Sequence, residues 1–182
     1  MKMMNEVYIT KSSTFLPNEP IQNDEMEEYL GLVNNKPSKA KALILRNNGI
    51  KTRYYALDKN SNPTHKNSEI TAKAVEGLFD ENFSKNDLQL LSCGTTSADQ
   101  IQPSHASMVH GELKTKNSIE VNTSMGLCNA GMNALNYAFL SVKAGAVENA
   151  VAVGSERFSS WMTADKFNHE VENLKLLEEK PI

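Results

Sequence analysis

Cys128 is the side chain in this 182-residue sequence best placed to act as a nucleophile. It lies within VNTSMGLCNAGMNALNYAFLSVKAGAV, residues 121–147, whose single charged residue is Lys143. The order of residue types reads as a short buried strand, a glycine-containing turn and a helix, with Cys128 where the turn becomes the helix. The first turn of a helix has N–H groups without intrahelical partners and carries the positive end of the helix dipole. Both favour thiolate over thiol. Gly126 and Gly131 flank the cysteine and leave room for a substrate or another backbone to approach. The setting is like a nucleophile elbow, in which a sharp turn presents the attacking atom. The competing reading is a buried cysteine acting as a small hydrophobe, the usual role of an unpaired one.

The elements that must hold such a residue follow from periodicity. Between Ala130 and Val142 the apolar side chains fall on more than one face, as in a helix inside a core. Lys143 in its last turn and Gly145 just beyond make a helix stop. Upstream, Val7–Phe15 reads as a first strand closed by Pro17. Asp24 with Glu27 forms a capping box opening a helix through Leu32. Lys36–Arg46 is a second helix ending before the turn Asn47-Asn48-Gly49, and Ile50–Leu57 is extended. Asn67 or Ser68 caps a helix with Ile70, Ala74, Val75, Leu78 and Phe79 on one face. Leu88–Thr96 is a strand, Pro103–Leu113 a helix opened by proline, Ser118–Thr123 the strand leading to Cys128, and Ala150–Ser155 a last short strand. Alternating strands and helices imply βαβ crossovers and a mostly parallel sheet covered on both faces. From Asp165 to Lys180 charges are dense, and Val171, Leu174 and Leu177 support at best an amphipathic surface helix.

Composition excludes several functions. A net charge of −3 without a basic run gives no footprint for nucleic acid. Cys93 and Cys128, the two cysteines, have no metal-like spacing, and so few suit a reducing cytoplasm better than a stapled secreted scaffold. The N-terminus lacks the apolar run of a secretory signal. The longest uncharged run is interrupted by four asparagines, which makes it too polar for a membrane span.

Five segments, taken in order, resemble the N-terminal half of the ketoacyl-ACP synthase III group of the thiolase superfamily. They are the opening strand ending in FLP, RNNGIKTRYYA (46–56), CGTTSADQIQPSHA (93–106), SMGLCNAGMNAL (124–135) and AGAVENAVAVGSE (144–156). The resemblance implies an α/β fold of αβαβα architecture, here one incomplete N-terminal half with a mostly parallel mixed sheet. On that basis residues 1–164 form the thiolase-like domain, and 165–182 a charged tail or the start of a connection to a C-terminal half. It also implies an acyltransferase without a cofactor, acting in fatty acid or polyketide synthesis. Cys128, matching the family's nucleophile, would take an acyl group from acyl-CoA or an acyl carrier protein as a thioester. A carbanion from decarboxylated malonyl-carrier would then attack it in a Claisen condensation. Thiolate suits this, being both a strong nucleophile and a good leaving group, and the Cys128 N–H would form half of an oxyanion hole.

The same resemblance assigns two further residues. Arg46 lies near the turn where the family has an arginine on the nucleotide part of CoA, with one extra residue before the glycine. Arg53 and Lys51 are the alternative cations, and a solvated arginine at a helix C-terminus is the competing reading. Gln102 falls where the family has a residue that reaches across a homodimer to close the partner's acyl pocket; the competing reading is an ordinary loop residue before Pro103. The family's histidine and asparagine lie well downstream of the cysteine, in a second half. His169, the only later histidine here, matches neither, and His105 and His110 read as surface or helix-face residues. The chain therefore resembles a fragment expected to lack condensing activity alone. Two other readings are a non-decarboxylating acyltransferase or thiolase-type enzyme, and a non-catalytic ketosynthase-like partner subunit.

Overall fold

The computed structural model describes residues 5–38, 40–167 and 169–170. They fall into two units, Pro17–His65 with Arg157–Ile182, and Met1–Leu16 with Lys66–Glu156. The helix expected around Val171, Leu174 and Leu177 lies outside the described residues.

In the first unit β1 (Ile21–Gln22) is followed by α1 (Met26–Leu30) and α2 (Lys41–Asn48), and β2 (Thr52–Arg53) pairs antiparallel with β1. The expected capping box is not formed. Glu27 instead accepts from the Ser38 N–H at 3.1 Å and from Lys41 Nζ at 2.8 Å. The lysine and the amide together hold its carboxyl below the usual range. The second helix starts five residues later than expected: Lys36, the residue before Pro37, is extended at φ −128° and ψ 139°, as a residue preceding proline prefers. It ends at Gly49, whose φ of 69° lets the chain leave in the left-handed region.

The second unit is built on α3 (Asn67–Glu76), β3 (Leu90–Gly94), α4 (His105–Leu113), β4 (Glu120–Ser124), α5 (Ala130–Lys143) and β5 (Ala150–Gly154). The three strands are parallel in the order β4-β3-β5. The chain steps from β3 to β4 and then back past β3 to β5. Right-handed crossovers in opposite directions put α4 and α5 on opposite faces. Covered on both sides, β3 has every residue buried.

The two faces differ in side-chain size, and this sets how each helix packs. Leu91, Cys93 and Val151 face α3 and α4 in a cluster with Val75, Val109 and Leu113. On the other face the register lines up Ser92 with Asn122 and Ala152, and Gly94 with Ser124 and Gly154. Against these small residues α5 lays Ala130, Ala134 and Ala138, its only buried positions. The helix expected to be interior all round therefore buries a single stripe in this chain. Met132 (60% exposed) and Leu140 (52%) project away from the sheet.

Other expectations change for identifiable reasons. Val7–Phe15 forms no strand; within it Lys11 Nζ donates to the Leu78 carbonyl and Asp80, and just before it Asn5 donates to the carbonyls of Lys143 and Val142. Pro103 precedes α4 rather than opening it, and Ser104 is the cap, its Oγ accepting from the Ser107 N–H at 3.4 Å. Asn67 does not cap α3 either. Asp99 does so from 32 residues away, accepting from the N–H groups of Asn67 (2.8 Å) and Ser68 (2.9 Å). The Asn67 amide turns inward to Thr95 Oγ1 (2.8 Å) and the Ser97 carbonyl (3.0 Å).

His105 is a correction of another kind. It is 1% exposed, with Nε2 3.1 Å from Thr71 Oγ1 and 3.3 Å from Ser155 Oγ, and so joins α4, α3 and the end of β5. Burial holds its pKa below the ordinary imidazole value, against the opposing pull of Asp99 and Glu156. The unfolded chain then binds this proton more readily than the folded one. Its contribution is fully present above the unfolded value near 6.5 and is lost as pH falls toward the folded value. His105→Gln, which cannot be protonated, should cost about 1–2 kcal/mol at pH 7 from lost hydrogen bonds. The gap to the parent chain should narrow at pH 5, as read by urea unfolding at both pH values.

Candidate active site

Cys128 sits in a single 3-10 turn, Leu127–Asn129, between the end of β4 and the first residue of α5. The side chain is exposed. Three features bring the backbone to this geometry. Leu127, directly before the cysteine, has φ of 51°, a left-handed conformation that a branched residue adopts only when its surroundings impose it. The Asn129 N–H closes the turn on the Gly126 carbonyl at 3.1 Å. Asn129 Nδ2 donates to Asn133 Oδ1 (3.0 Å), and Asn133 Nδ2 donates to the Met125 carbonyl (3.4 Å), which ties the turn to the next turn of α5. The N–H groups at the head of such a turn have no carbonyl partners within it.

Behind the turn the strand ends are pinned by polar groups. Thr95 N–H donates to the Ser124 carbonyl and Ser155 N–H to the Gly94 carbonyl, each at 3.1 Å, carrying the pairing one step past the sheet. The Glu156 carboxylate accepts from Thr96 N–H (2.8 Å), Ser97 N–H (3.0 Å) and Ser97 Oγ (2.6 Å). Glu156 is thus a staple between the loops after β3 and β5. Gln102 lies exposed in the loop after β3, its carbonyl accepting from Gln100 Nε2 at 2.8 Å. Cys128 and Gln102 thus follow the carboxyl ends of neighbouring parallel strands, where ligands bind in open α/β sheets.

Arg46 belongs to the other unit, in the last turn of α2. There it lines a cleft of about 530 Å³ with Lys41, Lys51, Leu45, Ile50 and Asp24. Lys41 is paired with Glu27 at 2.8 Å. Arg53, an alternative cation, donates to the Ile21 carbonyl (3.4 Å) and Asn23 Oδ1 (2.5 Å) and is not among the residues lining the cleft. Cys93 is fully buried, and burial pushes its thiol up to about 12. No group of three or more metal-ligating side chains occurs among the described residues, and no helix among them is long and apolar enough to cross a membrane. Sequence reading passed over the Asn129–Asn133 pair; its i, i+4 spacing at a helix start was the available signal.

The parallel α/β unit with a cysteine in its strand-to-helix turn shares its fold with solved ketoacyl synthase structures. The crystal structure of 3-oxoacyl-[acyl-carrier-protein] synthase III from Aquifex aeolicus VF5 superimposes with a TM-score of 0.65, at 22% identity, over 81% of this chain and 44% of that one. Curated relatives extend the likeness to sequence. A beta-ketoacyl-[acyl-carrier-protein] synthase III of Neisseria gonorrhoeae is 27% identical over 157 residues, 86% of this chain and 45% of the relative. One from Clostridium acetobutylicum is 27% identical over 159 residues, 86% and 44%. The chain thus spans less than half the length of the curated relatives it matches. No family model matches it. The resemblance read from the five segments is borne out: the curated homologues are beta-ketoacyl-[acyl-carrier-protein] synthases III.

Proposed function

We propose that this chain carries the acyl-accepting part of a thioester condensing enzyme similar to beta-ketoacyl-ACP synthase III. Cys128 attacks the carbonyl of an acyl-CoA or acyl carrier protein thioester, the C–S bond to the carrier breaks, and the acyl group stays on Sγ. The single observation that carries this reading is the exposed sulfur in a 3-10 turn before α5, within a chain whose homologues are synthases of this type. The turn's N–H groups would stabilise the oxyanion of the tetrahedral intermediate. Decarboxylation of malonyl-carrier and attack of the resulting carbanion on the acyl group would follow, using a histidine and an asparagine in the manner of the family. His169 does not take that part: it is exposed and lies 3.3 Å from Glu170. The 182 residues alone therefore acylate without condensing.

Arg46 is the proposed contact for the phosphates of CoA, supported by its place in a cleft with Lys51. Arg46→Ala should raise the acyl-CoA concentration for half-maximal acylation about tenfold, the effect of one charged hydrogen bond, with the saturating rate unchanged. Gln102 is proposed to close the acyl pocket of the second subunit of a homodimer. The dimer is supported by β4 lying at the sheet edge and by the exposed apolar side chains of α5. Sedimentation of the purified chain reads the oligomeric state.

The deciding experiment is mass spectrometry of the chain after incubation with acetyl-CoA and, separately, malonyl-carrier. An acetyl adduct on Cys128, absent from Cys128→Ser, is the expected result. No adduct on Cys128 under saturating acetyl-CoA would overturn the reading and favour a non-catalytic partner subunit. Turnover to a lengthened acyl chain would overturn the claim that these residues stop at acylation.

A further inference from the structure

We propose that Asn133 is a positioning residue for Cys128, an inference that rests on the thioester reading above. Asn133 stands one turn into α5, on the same side as the turn that carries the cysteine. Its Oδ1 accepts from Asn129 Nδ2 at 3.0 Å and its Nδ2 donates to the Met125 carbonyl at 3.4 Å. These contacts bracket the cysteine, Met125 three residues before it and Asn129 one after. The amide also fits closely over the intervening glycine. A Cβ at Gly126 would lie 2.7 Å from Asn133 Nδ2, so a side chain at residue 126 would push the amide out of its present position.

Leu127 gives the clamp something to hold. At φ of 51° it occupies a conformation that costs of order 1–2 kcal/mol per residue and that an unrestrained leucine would leave. Leu127 itself is 71% exposed, so core packing does not enforce its conformation. The restraint comes from the groups that hold Met125 and Asn129 at either end. These are the Asn129 N–H to the Gly126 carbonyl at 3.1 Å and the Asn133 amide. If Leu127 relaxes toward negative φ, the Cys128 N–H and Sγ rotate relative to α5. The sulfur stays in solvent, but it no longer shares a thioester with the amide hydrogens that must receive the oxyanion. Asn133 thus speeds acylation and is dispensable for simple alkylation, because alkylation needs an accessible sulfur and no oxyanion site.

Two measurements on the full chain test this. The first compares the rate of Cys128 acylation by acetyl-CoA with its alkylation by iodoacetamide. Asn133→Ala should lower acylation about tenfold and change alkylation less than about twofold. Asn133→Asp keeps the acceptor for Asn129 but lacks the donor for the Met125 carbonyl, and should behave like the alanine variant. Asn129→Ala retains the Met125 bond and should stay within about threefold of the parent. Parallel loss of both rates, or unchanged acylation in Asn133→Ala, would overturn the proposal. The second measurement is hydrogen exchange over residues 125–130. Asn133→Ala should exchange there about tenfold faster, with β3 unchanged, and equal exchange would overturn the clamp whatever acetyl-CoA does. A parent chain that fails to acylate while Asn133→Ala still speeds local exchange refutes the thioester reading and, with it, the catalytic part of this inference.

Discussion

Iodoacetamide should label one cysteine of the folded chain, Cys128, and leave Cys93 unmodified until the chain unfolds. Both terms of thiol reactivity act in the same direction. Cys128 is exposed, whereas Cys93 is fully enclosed in β3 with helices on both faces. Burial also pushes the Cys93 thiol up to about 12, so its thiolate fraction at pH 8 is ~10⁻⁴, roughly a thousandfold below that of a thiol at the reference value of 9. Enclosure and the raised thiol together should leave Cys93 unlabelled over a time course that modifies Cys128 fully, and in urea both cysteines should be modified. Peptide mapping of a short alkylation time course reads this directly. Comparable labelling of both in the folded chain would refute the packing of β3.

Gly94→Ala is expected to be the most damaging small substitution in the parallel unit. The last residue of β3 faces α5 at its first turn, and a Cβ there would overlap the Ala130 carbonyl and come within 2.7 Å of the Gly131 nitrogen. These are backbone atoms of a helix start, so no side-chain rotamer relieves the overlap. Either α5 is lifted from the sheet or β3 bends. The expected loss is about 3 kcal/mol or more, at the upper end for overpacked cores. Gly111→Ala is the control. Its Cβ would meet nothing within 4 Å inside α4, and it should raise stability by about 0.5–1 kcal/mol through helix propensity. Urea midpoints of the two variants should therefore move in opposite directions. Because the Gly94 contact is with the helix start beside Cys128, Gly94→Ala should also slow acylation.

How much was legible beforehand follows from the range of the interactions involved. The strand over Leu90–Gly94, the helix over Ala130–Lys143 and the turn between β4 and α5 were readable because local patterns encode them. These patterns are an apolar run, a glycine-bearing turn and a lysine–glycine stop. The capping of α3 was not readable. A helix start looks only for an acceptor, and Asp99 arrives from a loop that the chain reaches after a further strand. His105 illustrates the same limit. Nothing beside it in sequence is acidic or strongly apolar, and its burial comes from α3 and the end of β5. Val7–Phe15 has strand-like residues, but a strand exists only where another backbone runs alongside to pair with it.

By itself the sequence determined the fold class of this chain, an alternating α/β unit with a cysteine at the head of its most apolar helix, and its resemblance to the synthase III group. Five short segments in a fixed order carry that, and their chemistry is local. Only the tertiary structure decided which side of α5 is covered. The register of three parallel strands sets Ser92, Gly94, Asn122, Ala152 and Gly154 on one face, and only an alanine stripe approaches so small a surface closely. The larger side chains of α5 are turned outward for the same steric reason. Such a choice depends on which residues become neighbours across strands, and periodicity along one helix does not contain that information.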